Sequence, residues 1–175
     1  KKGEGAPRKK YFKSEREEEG QCATNWWPHD RFGHNQGAND EMTALMGIKN
    51  VFSNPKPTRL VKNLIALSNA KAGDIILDFF AGAGVIFEAA LLYDQKIQSL
   101  SVQLPEPLSP KDKDQKAGYF FCVDQGLKTT ISEICKERIR RVIGKIEAEQ
   151  AEAAKEAAGK LPGTATAAAE LDLGF

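Results

Sequence analysis

The sequence predicts an α/β fold with parallel strands and a long C-terminal helix, and three observations carry that reading. Ile75-Ile76-Leu77-Asp78-Phe79-Phe80 is an apolar run without alternation, the pattern of a strand buried on both faces of a parallel sheet. Gly82-Ala83-Gly84 follows at once and turns the chain into a helix from Val85 to about Leu92. Beyond Thr130, residues Ile131, Ile134, Ile139, Val142, Ile143 and Ile146 recur at three- and four-residue steps, as on one face of a helix.

The remaining elements follow in order. Residues 1–24 open with KKGEGAPRKKYFKSEREEEG, too charged to bury, and read as a linker or tail. TNWWPHDRFGHNQ is irregular and aromatic; ANDEMTALM has a helical pattern, with Asn39 or Asp40 as cap and Met42, Leu45 and Met46 on one face. The prolines of Asn54-Pro55-Lys56-Pro57 make a turn. A helix capped by Thr58 follows, with Leu60, Val61, Leu64, Ile65 and Leu67 as its stripe. Ala72-Gly73-Asp74 ends it. Ser99 to Leu104 forms a second strand, stopped by Pro105-Glu106-Pro107, and a Lys/Asp-rich loop leads to Lys116. Residues 25–147 therefore form the folded body, and 148–175 an Ala/Glu-rich, partly ordered tail. A doubly wound sheet needs more than two strands, so the chain is expected to hold part of one.

Composition narrows the class. With 175 residues, 41% hydrophobic and 28% charged, the chain is neither disordered, collagen-like nor a disulfide scaffold. A net charge of +1 gives no overall basic surface for nucleic acid. Cys22, Cys122 and Cys135 are odd in number and scattered, so neither a disulfide framework nor a metal site is expected, and a reduced cytoplasmic setting fits. No signal peptide opens the sequence; its first residue, Lys1, marks a fragment or a processed chain. The apolar stretch from Ile75 to Tyr93 is interrupted by Asp78, Glu88 and the glycine turn, which argues against a membrane span.

The chemistry concentrates at Asp78-Phe79-Phe80-Ala81-Gly82-Ala83-Gly84, since ligands of open α/β sheets sit at the carboxyl ends of strands beside such a turn. Phe87 stands where a dinucleotide fingerprint has its third glycine, and no Gly-Lys-Ser/Thr ending exists, so a pyrophosphate is disfavoured. An acidic residue before the glycines suits a positively charged group such as an amine. His29 and His34 have no cysteines or paired carboxylates to complete a metal or catalytic set. Trp26 and Trp27 read as packing residues. Lys136, Arg138, Arg140 and Arg141 read as a solvated basic face opposite the isoleucines.

FSNPKPTRLVKNLIALSN followed by GDIILDFFAGAG resembles the β-class DNA adenine-N6 methyltransferases. SVQLPEP, TISEICKERIRRVIGKI and the closing LDLGF look like the modification (Mod) subunit of type III restriction-modification systems. The resemblance implies a partial Rossmann-like, S-adenosylmethionine-dependent methyltransferase fold. In its terms Asp78, Phe79, Phe80, Ala81, Gly82 and Gly84 form the cofactor loop, with Asp78 toward the methionine amino group. Phe52, Pro55, Lys56 and Pro57 form the opposite wall, near the methionine moiety. Gln103 stands where relatives carry an acidic residue against the ribose hydroxyls; an ordinary polar residue at a strand end is the other reading. DNA, a restriction subunit and a second copy are the implied partners, with no membrane.

Two departures qualify the resemblance. Ser-Gly-Thr-Thr is replaced by Ala83-Gly84-Val85-Ile86, removing three hydroxyls worth about 0.5–1.5 kcal/mol each if they touch the cofactor. The catalytic Asp/Asn/Ser-Pro-Pro-aromatic tetrapeptide, which holds the target base, does not occur in these residues. In β-class order it precedes the PKP motif, so the chain is expected to be the carboxyl-side part of a larger enzyme, inactive alone. A degenerate interaction module and a nucleotide-binding oxidoreductase domain are the other readings.

Overall fold

The computed structural model describes residues 10, 12–14, 23–93 and 96–159; most of the charged leader, Cys22 and LDLGF lie outside the described residues. A short helix α1 (His29–Phe32) leads into α2 (Asn35–Met46) and α3 (Thr58–Leu67). Then come β1 (Ile75–Asp78), α4 (Val85–Leu91), β2 (Gln98–Ser101), α5 (Lys116–Asp124) and α6 (Ile131–Gly159). β1 and β2 pair in parallel, Ile75 opposite Gln98 through Asp78 opposite Ser101, with α4 as the crossover. The fold is thus mixed helix and strand, with a small parallel sheet and a C-terminal helix about 43 Å long.

Apolar spacing builds two cores. Val61 and Ile65 of α3 meet Ala89 and Ala90 of α4, with Ile76, Val85, Ile86 and Ile97 packed alongside. Met42 and Met46 of α2, Val51, Leu108, Phe121 and Cys122 of α5, and Ile134 of α6 form the other. Ala83 belongs to the second core, while Val85 and Ile86 pack against the first, so the glycine turn joins the two. The apolar residues that replace the usual hydroxyls are packing residues here.

The structure departs from the sequence expectations where local pattern carried too little information. β1 is not buried on both faces: Ile75, Leu77, Phe79, Leu100, Val102 and Leu104 are exposed, because α4 covers one side and no described residue covers the other. β2 ends at Ser101, although the amide of Val102 still donates to the Asp78 carbonyl at 2.7 Å. α2 starts at Asn35, not at Asn39, since His34 Nδ1 accepts from the Gly37 amide at 2.8 Å and caps it. Thr58 is the first helical residue of α3 rather than its cap, and the carboxylate of Glu41 accepts its amide. α5 was not expected at all: Gly118 in its interior hides the helical signal. The Gly118 position is obligatory, as a Cβ there would lie 2.5 Å from the Val51 carbonyl and 2.8 Å from Ile134 Cδ1.

The basic cluster of α6 is a solvated face at Lys136 and Arg140, but not at Arg138 and Arg141. Arg138 is 1% exposed. Its Nε donates to Glu88 Oε2 at 2.7 Å, and Nη2 forms an ion pair with the same oxygen at 2.6 Å. Nη1 donates to the Ala83 carbonyl and Nη2 to Thr58 Oγ1, at 3.4 and 3.3 Å. Arg141 donates to the carbonyls of Leu45 and Met46 and to Glu137, fastening α6 to the end of α2. Lys136 and Arg140 pair with Glu133 and Glu137 along the helix.

Two outcomes follow from this packing. Gly118→Ala should destabilise the chain by about 1–3 kcal/mol through overpacking against backbone, read as a lower urea midpoint. Burial works to raise the Glu137 carboxyl, but the hydrogen bonds and charges of Arg141 and Arg140 outweigh it and hold the group below its ordinary value. A depressed carboxylate contributes stability above its unfolded pKa and loses it as pH falls through the folded one. Glu137→Gln should therefore lower the melting temperature at pH 7, and the gap from wild type should close below about pH 4.

Candidate functional site

Strand β1 ends at Asp78, and the chain then makes a tight turn rather than continuing. Asp78 Oδ1 accepts the Phe80 amide at 3.0 Å, an Asx-type turn that leaves Phe80 projecting with 91% of its surface exposed. The Ala81 amide donates to the Val102 carbonyl and the Gly84 amide to the Ala81 carbonyl, at 3.0 and 2.7 Å. Gly82 and Gly84 take left-handed φ values of 53° and 78°, which only glycine adopts without strain. Gln103, just beyond β2, accepts the Gly82 amide through Oε1 at 2.7 Å and donates from Nε2 to the Leu104 carbonyl at 3.2 Å.

The PKP segment forms the facing wall. Asn54 turns it with φ 54°, and Pro55 is fully buried. Gly33 packs onto Pro57, where a Cβ would come within 2.7 Å of the ring, and Arg59 donates to the Asp30 carbonyl. The aromatic segment, with Trp27 stacked on Phe32 at 4.4 Å, is therefore the backing of the PKP turn. His34 serves as the cap of α2, and no group of residues able to hold a metal occurs among the described residues.

Between these walls lies a cavity of about 300 Å³. Of the residues singled out in the sequence, Phe52, Pro55, Lys56, Asp78, Phe80, Ala81 and Gly82 line it. Pro57, Phe79, Gly84 and Gln103 do not: Pro57 faces Gly33, Phe79 lies on the open sheet face, Gly84 packs on α6, and Gln103 braces the loop from outside. Asn54, Val61, Ala83, Val85 and Ile86 complete the lining. Asn54 and Val61 carry no sequence signal for this place; they arrive there because they flank the PKP turn. A Cβ on Gly82 would sit in ordinary contact, 3.4 Å from the Phe52 ring, so the left-handed φ rather than lack of space calls for glycine here. A larger groove of about 760 Å³ runs between α2, α4 and α6 and reaches Thr58, next to the PKP segment, but not the glycine turn.

Comparison with known proteins bears on these motifs directly. The N6/N4 methyltransferase family, described as DNA methylase, matches residues 2–156. The chain belongs to this DNA methylase family. It is 37% identical over 133 residues to the type III restriction-modification enzyme StyLTI Mod subunit of Salmonella typhimurium, covering 74% of this chain and 18% of that protein. It is 30% identical over 122 residues to the EcoPI Mod subunit of Escherichia phage P1, covering 67% of this chain and 17% of that one. The chain thus spans less than a fifth of the length of these curated relatives.

In this DNA methylase chain the floor of the glycine turn rests on α6. A Cβ on Gly84 would lie 3.0 Å from Cys135 Sγ. Burial pushes the Cys135 thiol up; the Arg138 charge opposes this and Asp78 adds to it. Cys122, buried in the second core, is raised by its burial as well. Gly84→Ala should cost about 1–2 kcal/mol from the left-handed φ alone. It should also speed alkylation of Cys135 by iodoacetamide at neutral pH, measured by mass spectrometry, while Cys122 stays slow.

Proposed function

We propose that this chain is the S-adenosylmethionine-binding part of a site-specific DNA adenine-N6 methyltransferase of a type III restriction-modification system. The observation that carries the reading is the meeting of two motifs, 26 residues apart from Phe52 to Asp78, on opposite sides of one cavity. The cofactor, when bound, supplies an electrophilic methyl group. The chain's own residues would hold its amino-acid end: Asp78 retains acceptor capacity for an ammonium beyond the Phe80 amide, and Lys56 offers the complementary charge for a carboxylate. Phe52 and Phe80 give apolar surface on either side, and the glycine backbone allows close approach. Gln103 shapes the loop through the Gly82 amide, and its second Oε1 lone pair and second Nε2 N–H are left for a ribose hydroxyl.

The Pro-Pro-aromatic tetrapeptide is absent from these 175 residues, so on this reading the base-holding residues belong to other parts of a longer protein. DNA, a restriction subunit and a second copy of the enzyme are then partners of that protein, in the cytoplasm. Among the described residues no helix is long and apolar enough to cross a membrane.

Calorimetric titration with S-adenosylmethionine, with NAD as control, tests the proposal. Saturable binding of S-adenosylmethionine alone is expected, lost by tenfold or more in Asp78→Ala and in Gly82→Val, whose side chain would meet Phe52. Binding of NAD would transfer the chain to the oxidoreductase reading. Absence of any binding by a folded chain would favour a module that kept the fold and not the ligand.

A further inference from the structure

We infer that Arg138 is a positioning residue that sets the distance between the two walls of the cavity, and so the affinity of the site for its cofactor. The inference rests on the cofactor reading above and adds a residue that does not line the cavity. Arg138 stands behind it. One guanidinium nitrogen holds the carbonyl of Ala83, in the glycine turn. Another holds the hydroxyl of Thr58, the residue that follows the PKP segment. Glu88, one turn into α4, compensates the charge through Oε2. A planar cation with several donors in fixed directions can hold three acceptors at once; an ammonium at the end of a flexible stem cannot hold the same three in the same geometry.

The burial makes the arrangement stiff. With Arg138 1% exposed, water cannot replace a lost partner, so Ala83 and Thr58 are held at a spacing decided by the guanidinium. Both are also fixed from the other side: Ala83 by the second core, and the Thr58 amide by Glu41. The helix that carries Arg138 thereby acts on the cofactor loop without touching the ligand.

The test compares Arg138→Lys with Arg141→Lys in the full chain. Arg141 is an anchor of the same helix that bonds the end of α2 and lies far from the glycine turn in its contacts. Two readouts are taken at a temperature where both variants are folded: the dissociation constant for S-adenosylmethionine, and amide exchange at Ala81, Gly82 and Gly84, whose N–H groups are all hydrogen-bonded. Arg138→Lys should raise the dissociation constant at least tenfold and speed exchange at those three amides. Arg141→Lys should lower the melting temperature and leave both loop readouts near wild type. Equal effects of the two variants, or an unchanged loop in Arg138→Lys, would overturn the inference. If the wild-type chain binds no S-adenosylmethionine, the cofactor reading falls, and amide exchange still decides whether Arg138 sets the loop.

Discussion

A guanidinium almost without access to water ties together three places that are 50, 55 and 80 residues away in sequence. Burying a cation is costly unless its charge is paired and its donors are used, and here Glu88 does the first while Ala83 and Thr58 do the second. The arrangement couples the seat of α6 to α4, the glycine turn and the start of α3 through one side chain. These are the parts that form the cavity or support it. The second anchor of α6, Arg141 on the carbonyls of Leu45 and Met46, draws α2 into the same assembly.

This constraint explains how so small a sheet presents a defined site. Two parallel strands give little rigidity by themselves. The turn after β1 gains its shape from Asp78 below, Gln103 beside it and α6 behind it. One sheet face is packed by α4, whereas the other exposes a row of large apolar residues from Ile75 to Leu104. Contiguous apolar faces of this kind commonly mark contact surfaces.

Much of the site could be read from the sequence because it rests on local backbone chemistry. Glycines in left-handed conformations, prolines that fix a turn and an acid at a strand end all leave marks in single residues, and Pro55, Asp78 and Gly82, so marked, line one cavity; Phe52, Lys56, Phe80 and Ala81 beside them were singled out by the family resemblance. The strands and the long helix were legible from apolar runs and periodicity. What escaped were properties decided by distant partners. Arg138 looks like its neighbours Lys136 and Arg140 in the sequence, and only Glu88 and Ala83 distinguish it. The interior glycine of α5, held against Val51 and Ile134, likewise depends on contacts that no short window contains. Ala83, Val85 and Ile86 looked like losses of ligand contacts, and their neighbours show them to be packing residues as well.

On the proposed function the ligand enters between the PKP segment and the glycine turn, not in the larger groove along α6. Mapping amide chemical shifts of the isotope-labelled chain during titration with S-adenosylhomocysteine tests it most directly. Shifts are expected to concentrate at Phe52, Lys56, Asp78, Phe80 and Gly82. Shifts concentrated instead at Glu41, Arg141 and Lys145, which line the larger groove, would contradict it.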